Sequence, residues 1–264
     1  RCIERSPASP SSHTNDVQQG GNSATAGSSH TLVVLLPAVV VLALVSSQLG
    51  FNRYVRYVLP ALPWLYIFAS RTATVLARQR PLQSALVLLA VGATVIESLA
   101  VFPHSLSFFN QCVGGPRGGH AHLVDANIDW GQDLLYLQEW YEQHLQARPL
   151  HVAYFGPAGM DPQYAGIDWR PVPKYDPNPT RHAQPEDTAG PQPGWFAVSV
   201  NYLRGYRHYE YDRPVYTYFL ELEPVAMAGY SMYIYHLTLP DANRLRAERG
   251  LPPLPDRPQR DATP

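Results

Sequence analysis

The segment Asp125-Ala-Asn-Ile-Asp-Trp-Gly-Gln-Asp-Leu134 concentrates the side chains most able to do chemistry, with carboxylates at 125, 129 and 133 and amides at 127 and 132. Alternating oxygen ligands are how a loop wraps a hard cation. The calcium-loop pattern, however, requires Gly where Trp130 stands and Glu where Tyr136 stands. Asp129 and Asp133 also fall one helical turn apart, a spacing open to the paired carboxylates of glycoside hydrolysis. Capping accounts for the same residues more simply. Asp129 followed by Gln132 fits a capping box, which would satisfy the orphan N–H groups of a helix over 130–147. Asp129, Trp130, Gln132 and Asp133 therefore stand as a helix start or a polar binding site, and no metal or other cofactor is expected.

Arg53 and Arg56 alternate with aromatic residues in Phe51-Asn-Arg-Tyr-Val-Arg-Tyr57. Such residues anchor helix ends at a membrane surface. Guanidinium forks also match phosphate oxygens bidentately, which makes both arginines candidate contacts for a lipid-linked phosphate. His104, His120 and His122 are scattered around the Gly-rich stretch Gly114-Gly-Pro-Arg-Gly-Gly119, without the Cys/His set of a zinc site. That stretch follows no strand and lacks the Lys-Ser/Thr of a phosphate loop. Cys2 and Cys112, the only cysteines, make no disulfide framework. Glu97 lies near the end of an apolar run, where an acid is interfacial or functional.

The elements that must position these residues begin in apolar runs. Residues 1–30 are Ser/Gly/Asn/Thr-rich and are expected to be flexible. Thr31–Asn52 carries no charge and is long enough to cross the bilayer as a helix. Val58–Ala69 is uncharged but short and broken by Pro60 and Pro63, so it reads as a second span or a re-entrant segment. Leu82–Phe102 makes the last span. The arginines at 71, 78 and 80 place their loop in the cytoplasm, and with three spans everything after Phe102 lies outside; Arg53 and Arg56 oppose this orientation. The sequence opens on Arg1 with no signal-peptide pattern and reads as a fragment. A formal net charge of -1 gives no bulk attraction to nucleic acid.

From Pro103 the pattern is that of a soluble domain. After the helix over 130–147, Leu150–Phe155, Trp195–Val200 and Ser231–Leu237 read as strands, with a loop over 157–193 and a further helix within Tyr206–Leu222. A short Arg-rich helix opens a Pro-rich tail over 240–264. The fold class is thus a membrane α-helical region of about three transmembrane helices over 31–102, followed by a small α/β domain over 103–239.

The segment Arg56-Tyr-Val-Leu-Pro-Ala-Leu-Pro63 resembles the Arg-Tyr-Leu-Leu-Pro-x-x-Pro stretch of bacterial membrane glycosyltransferases related to dolichyl-phosphate-mannose protein mannosyltransferases. Glu97-Ser-Leu, Phe108-Phe-Asn110, Gly114-Gly-Pro116 and the Asp125–Leu134 motif are similar, in order, to the stretch after the last spans of such proteins. Tyr154-Phe-Gly156, Gly194-Trp-Phe-Ala-Val-Ser199 and Gly229-Tyr-Ser-Met-Tyr-Ile-Tyr235 continue the resemblance, which covers roughly residues 32–238. It implies a multi-pass GT-C-type enzyme of the inner membrane, moving a sugar from a polyprenyl-phosphate donor to an acceptor on the extracytoplasmic side. The family's catalytic Asp would precede Arg1, so this chain would be a C-terminal portion, inactive alone and without catalytic residues. Arg56 then falls near the donor phosphate, and Asp129, Trp130, Gln132 and Asp133 match the family motif, with acceptor binding as one role. The alternative is a membrane-anchored, non-catalytic glycan- or protein-binding module whose aromatics stack on sugars.

Overall fold

The computed structural model describes residues 22–47, 55–77, 80–176, 189–206 and 214–256. The chain divides into two compact units, 1–87 and 88–264. In the first, helix α1 spans Asn22–Ser47 with Pro37 inside it. Its start lies at Asn22 rather than Thr31, so residues 22–30, expected to be flexible, extend the apolar helix. Propagating a formed helix adds one hydrogen bond per residue fixed, whereas nucleating one is costly.

The middle apolar segment is not one continuous helix. Val55–Ala61 forms a 3-10 helix containing Pro60, and the eight-residue α2 (Leu62–Ala69) follows with Pro63 in its first turn. A proline tolerated at a helix start breaks the hydrogen-bond ladder in an interior, which is why the segment is jointed here. Both pieces pack against α1. The buried apolar positions described in this unit are alanines, Ala38 and Ala61, small enough for close backbone approach. Arg71 Nη1 donates to Thr31 Oγ1 at 2.7 Å, tying α1 to the turn between α2 and α3 (Thr72–Ala77).

Helix α4 (Pro81–Val101) carries the chain into the second unit. Two stretches among the described residues are long and apolar enough to cross a membrane, His30–Ser47 of α1 and Pro81–Val101. Their large apolar side chains face outward, Leu36 at 59% and Leu89 at 70% exposure, unlike the core helix of a water-soluble protein. They fit a chain associated with a membrane.

The second unit is built on a five-stranded mixed sheet in the order β2-β1-β3-β5-β4. β1 (Leu150–Ala153) is parallel to β2 (Trp169–Pro171) and to β3 (Gly194–Ser199), while β5 (Met232–Leu237) runs antiparallel to β3 and to β4 (Ala226–Ala228). Successive residues alternate between faces. Phe196, Val198, Tyr233 and Tyr235 join one core with α7 (Val200–Leu203), Phe219 and Leu245. Ala197, Leu150, Val152 and Ile234 join the other with α6 (Leu134–Gln143) and Ile167. Because both faces are covered, β3 and β5 are continuous buried runs instead of half-polar ones.

Helix α6 starts at Leu134, not Trp130, and ends at Gln143 before a 3-10 turn over Leu145–Ala147. The expected capping box at Asp129 is absent because that side chain is committed elsewhere. A capping box does form at α8 (Leu239–Glu248), where Thr238 Oγ1 accepts from the Asp241 N–H at 3.3 Å and the Asp241 carboxylate accepts from the Thr238 N–H at 3.2 Å. The helix expected within Tyr206–Leu222 is reduced, among the described residues, to a 3-10 turn at Thr217–Glu221. The expected tail does not leave the domain at Pro240. After α8, Leu254 exchanges hydrogen bonds with the Asn243 side chain, and the buried Arg246 donates to the carbonyls of Pro252, Ala189 and Pro191. A guanidinium with carbonyl partners on two separate segments fastens both.

Candidate functional site

The Asp125–Asp133 segment is a hub that buries its three carboxylates and leaves Trp130 and Gln132 exposed. Asp125 adopts a left-handed conformation (φ 63), uncommon for any residue but glycine and best tolerated by Asp and Asn. Its N–H donates to Asn201 Oδ1 at 2.6 Å, and its carbonyl accepts from Ile128 and Asp129, both at 3.1 Å. Asn127 Nδ2 donates back to the Val124 carbonyl. Gln132 folds over the turn, its Oε1 accepting from Trp130 N–H and its Nε2 donating to the Ile128 carbonyl.

Asp129 is fully buried. Its Oδ1 accepts from the Gly131 N–H at 2.9 Å and its Oδ2 accepts a short hydrogen bond from Ser199 Oγ. Ser199 is at once the N-cap of α7, its Oγ accepting from the Asn201 N–H. Burial pushes the Asp129 carboxyl up to about 7, against the pull of hydrogen bonds from Ser199, Gly131 and Ser231 and with the charge of Asp133 adding to the rise. Tyr154 lies over the same turn, donating from its hydroxyl to the Gly131 carbonyl at 2.9 Å. Burial, with the charges of Asp129 and Asp133, raises that phenol to about 12.

Asp133 is equally hidden. Its Oδ2 accepts from the N–H groups of Tyr230 and Ser231, each at 3.0 Å, in the turn joining β4 to β5. Its Oδ1 lies 3.3 Å from His104 Nδ1, just past the end of α4. Gly229 has a positive φ of 59, and a Cβ there would collide with the Asp133 carboxylate. Of the four oxygen-bearing side chains whose spacing suits a calcium loop, Asn127, Asp129 and Asp133 thus turn to different protein partners, and among the described residues no cluster of three His, Cys, Asp or Glu forms a metal site.

A pocket of about 670 Å³ opens beside this hub, lined by His104, Arg117, His120, Glu223, Tyr230 and Tyr233 among others. The Gly-rich loop delivers two of these. Gly115–Gly118 forms the short α5 and Gly119–Ala121 a 3-10 turn, which present Arg117 and His120. The Phe109 ring packs so closely on Gly119 that no Cβ would fit there. Arg204 Nε donates to His120 Nδ1 at 3.0 Å, which leaves the His120 proton on Nε2. Burial, then the Arg204 charge, lowers His120 to about 4, so it is neutral at pH 7. Tyr233 donates from its hydroxyl to the Arg117 carbonyl at 3.1 Å and meets the His120 ring edge-on. Its phenol is raised to about 12 by burial, with Arg117 and Arg204 pulling the other way.

The structure therefore buries Asp129 and Asp133 in one hub and leaves Gln132 and Trp130, the latter 46% exposed, on its outer side. Arg56 belongs to the other unit, exposed, with its guanidinium 5.2 Å from the Tyr57 ring centre; Arg53 lies outside the described residues. The other tryptophans of the α/β unit have protein partners. Trp140 stacks on His144 and Trp195 on His236, both at 4.3 Å, and Trp169 donates to Asp161. In the sequence His120 stands out only as a possible zinc ligand, and Arg117 and Arg204 do not stand out at all. The one signal that could have found Arg117 and His120 is their setting among small residues in Gly114–His120, and Arg204 carries none. No protein-family model, curated protein or solved structure matches the chain.

Proposed function

We propose that this chain is the C-terminal portion of a membrane glycosyltransferase that draws its sugar from a polyprenyl-phosphate donor. In this reading α1 and α4 cross the inner membrane, with the jointed segment 55–69 as a further span or a re-entrant piece. The α/β unit then faces the extracytoplasmic side. Arg56 contacts the donor phosphate, as guanidinium forks do, and Arg53 assists it. The catalytic acid or base is supplied from outside this sequence, and an acceptor approaches the α/β unit on its exposed Trp130 side.

The observation that carries the proposal is the position of Arg56. It is exposed beside the Tyr57 ring, in a short segment with apolar helices before and after it, where an anion held at a bilayer surface would be met. The ordered motifs resembling the family add the reaction class. The test is transfer from a radiolabelled polyprenyl-phosphate sugar by membranes carrying the full reading frame. Activity should fall at least about tenfold in Arg56→Ala, the loss of one charge-assisted contact. Failure of the full reading frame to transfer any such sugar would sink the proposal, and an unchanged rate in Arg56→Ala would remove Arg56 from the donor site.

A second reading, a membrane-anchored binding module without chemistry, is favoured by the roughly 670 Å³ pocket, which lies entirely within the α/β unit and within the size range of small-molecule sites.

A further inference from the structure

The pocket walls carry an unusual combination of charges. Arg117 lines it, exposed, with no carboxylate in a salt bridge to its guanidinium among the described residues. Arg204 is fastened to the wall from behind, its Nε donating to the lining His120 at Nδ1 over 3.0 Å. His120 lines the pocket with Arg117, three residues away on the same loop, so the anchor of Arg204 is part of the wall that carries Arg117. A neutral His120 is the partner such an arrangement needs, since a protonated ring could not accept from Arg204. Fixing a long cationic side chain in advance removes part of the ordering entropy that binding would otherwise cost.

A bare anion site would need only these cations. Here the same pocket also holds the Glu223 carboxylate, which repels anions but accepts hydroxyl protons, and the Tyr230 and Tyr233 rings. Its volume is many times that of a single phosphate ion. An arginine in the wall, a second one bonded to a wall histidine, a carboxylate acceptor and two tyrosines together suit a polyhydroxy ligand with one charged substituent.

We infer that the pocket between the Gly114–Gly119 loop and the Gly229–Tyr233 segment binds an anionic sugar, a hexose carrying a phosphate or carboxylate group, with Arg117 and Arg204 on the charged substituent and Glu223 on the hydroxyls. Within the transferase reading this ligand is part of the acceptor, and within the binding-module reading it is the recognised glycan. The inference deepens either and depends on neither.

The experiment is titration of the full chain in detergent micelles with glucose 1-phosphate, glucuronate, glucose and inorganic phosphate, followed by calorimetry or ligand-observed NMR. At least one of the two charged sugars should bind and saturate, weaken with added salt, and lose at least about tenfold in affinity in Arg117→Ala and in Arg204→Ala. Both arginines are exposed, and an unchanged melting temperature in each variant separates lost contacts from lost folding. Glucose binding as tightly as the charged sugars would overturn the anionic part. Inorganic phosphate binding as tightly would overturn the sugar part, leaving a simple anion site. Affinity unchanged in both variants would overturn the location, and no binding of either charged sugar at millimolar concentration would overturn the whole. No transfer is required by the assay. A chain that binds a charged sugar but belongs to no active transferase keeps this inference and loses the transferase reading, and an active transferase that binds neither does the reverse.

Discussion

Asp133→Ala separates a structural role for the Asp125–Asp133 motif from a ligand-binding one. Asp133 is 1% exposed, and its Oδ2 takes the N–H groups of Tyr230 and Ser231 at 3.0 Å each. Truncation leaves two amides in a buried turn without an acceptor and removes the partner facing His104 Nδ1. A hydrogen bond to a charged acceptor contributes about 1.5–3 kcal/mol, so losing two costs roughly 3–6 kcal/mol. For a unit of this size each kcal/mol shifts the midpoint by about 2–4 °C. Thermal unfolding of the full chain in detergent should therefore drop by about 6 °C or more. Hydrogen exchange at the Tyr230 and Ser231 amides should accelerate far more than in the α8 amides. Asp133→Asn, which keeps an oxygen to accept from the turn, should recover more than half of the loss. If Asp133 served only an external ligand, both variants would melt within about 1 °C of the parent and exchange at the turn would be unchanged; that outcome refutes the reasoning.

Three further predictions rest on the same geometry. The Asp129 carboxyl is raised from 3.8 to about 7, so the folded state binds the proton more tightly than the unfolded one and stability from this group is full below about pH 4 and lost as pH rises through 7. Asp129→Asn removes that dependence, and between pH 5 and pH 8 its melting temperature should fall less than the parent's; equal slopes would contradict the assignment. His120, lowered from 6.5 to about 4, acts with opposite sign, its stabilisation present above about 6.5 and lost as pH falls toward 4, so the parent profile flattens where the two overlap. Gly229→Ala meets both a positive φ and the Asp133 carboxylate and should lose about 3 kcal/mol or more by thermal melting. Gly250→Ala, whose φ is also positive but whose Cβ position is open, should lose only the conformational part, about 1–2 kcal/mol. Thr238→Ala breaks the α8 capping box and should cost about 1 kcal/mol, read as a fall of roughly 2–4 °C.

Legibility in the sequence follows the range of the interactions. β1, β3 and β5 are apolar, β-branched or aromatic runs whose burial on both faces leaves a continuous pattern, and all three are readable. β2 and β4 are not. Each is three residues long at a sheet edge, Trp169–Pro171 ending in a proline and Ala226–Ala228 lacking strand-favouring residues. The start of α6 is misplaced by local spacing because Asp129 looks like a cap, while its carboxylate is taken by Ser199, seventy residues away in the chain. Of the candidate site, residue types are visible but partners are not. Arg204 and His120 lie 84 positions apart, and only the folded sheet brings them into hydrogen-bond contact.

The hub and the pocket also share residues, which gives the buried acids a consequence beyond stability. Two of the groups facing Asp133, His104 and the Gly229–Ser231 turn, are themselves part of the pocket wall or directly behind it. The Tyr230 ring contacts His104 edge-on at 5.3 Å, and that histidine also packs on Tyr136 of α6 at 4.6 Å. Burying two carboxylates is costly unless each is matched by donors, and here the donors come from the end of β3, the β4–β5 turn and the residue just past α4. Asp133 thus need not touch a ligand to govern one. Releasing the turn would free Tyr230 and His104 together, so the charged motif that draws attention in the sequence would act on the pocket through its walls, while Arg117, inferred to meet the ligand, stands on a glycine-rich loop that looks inert.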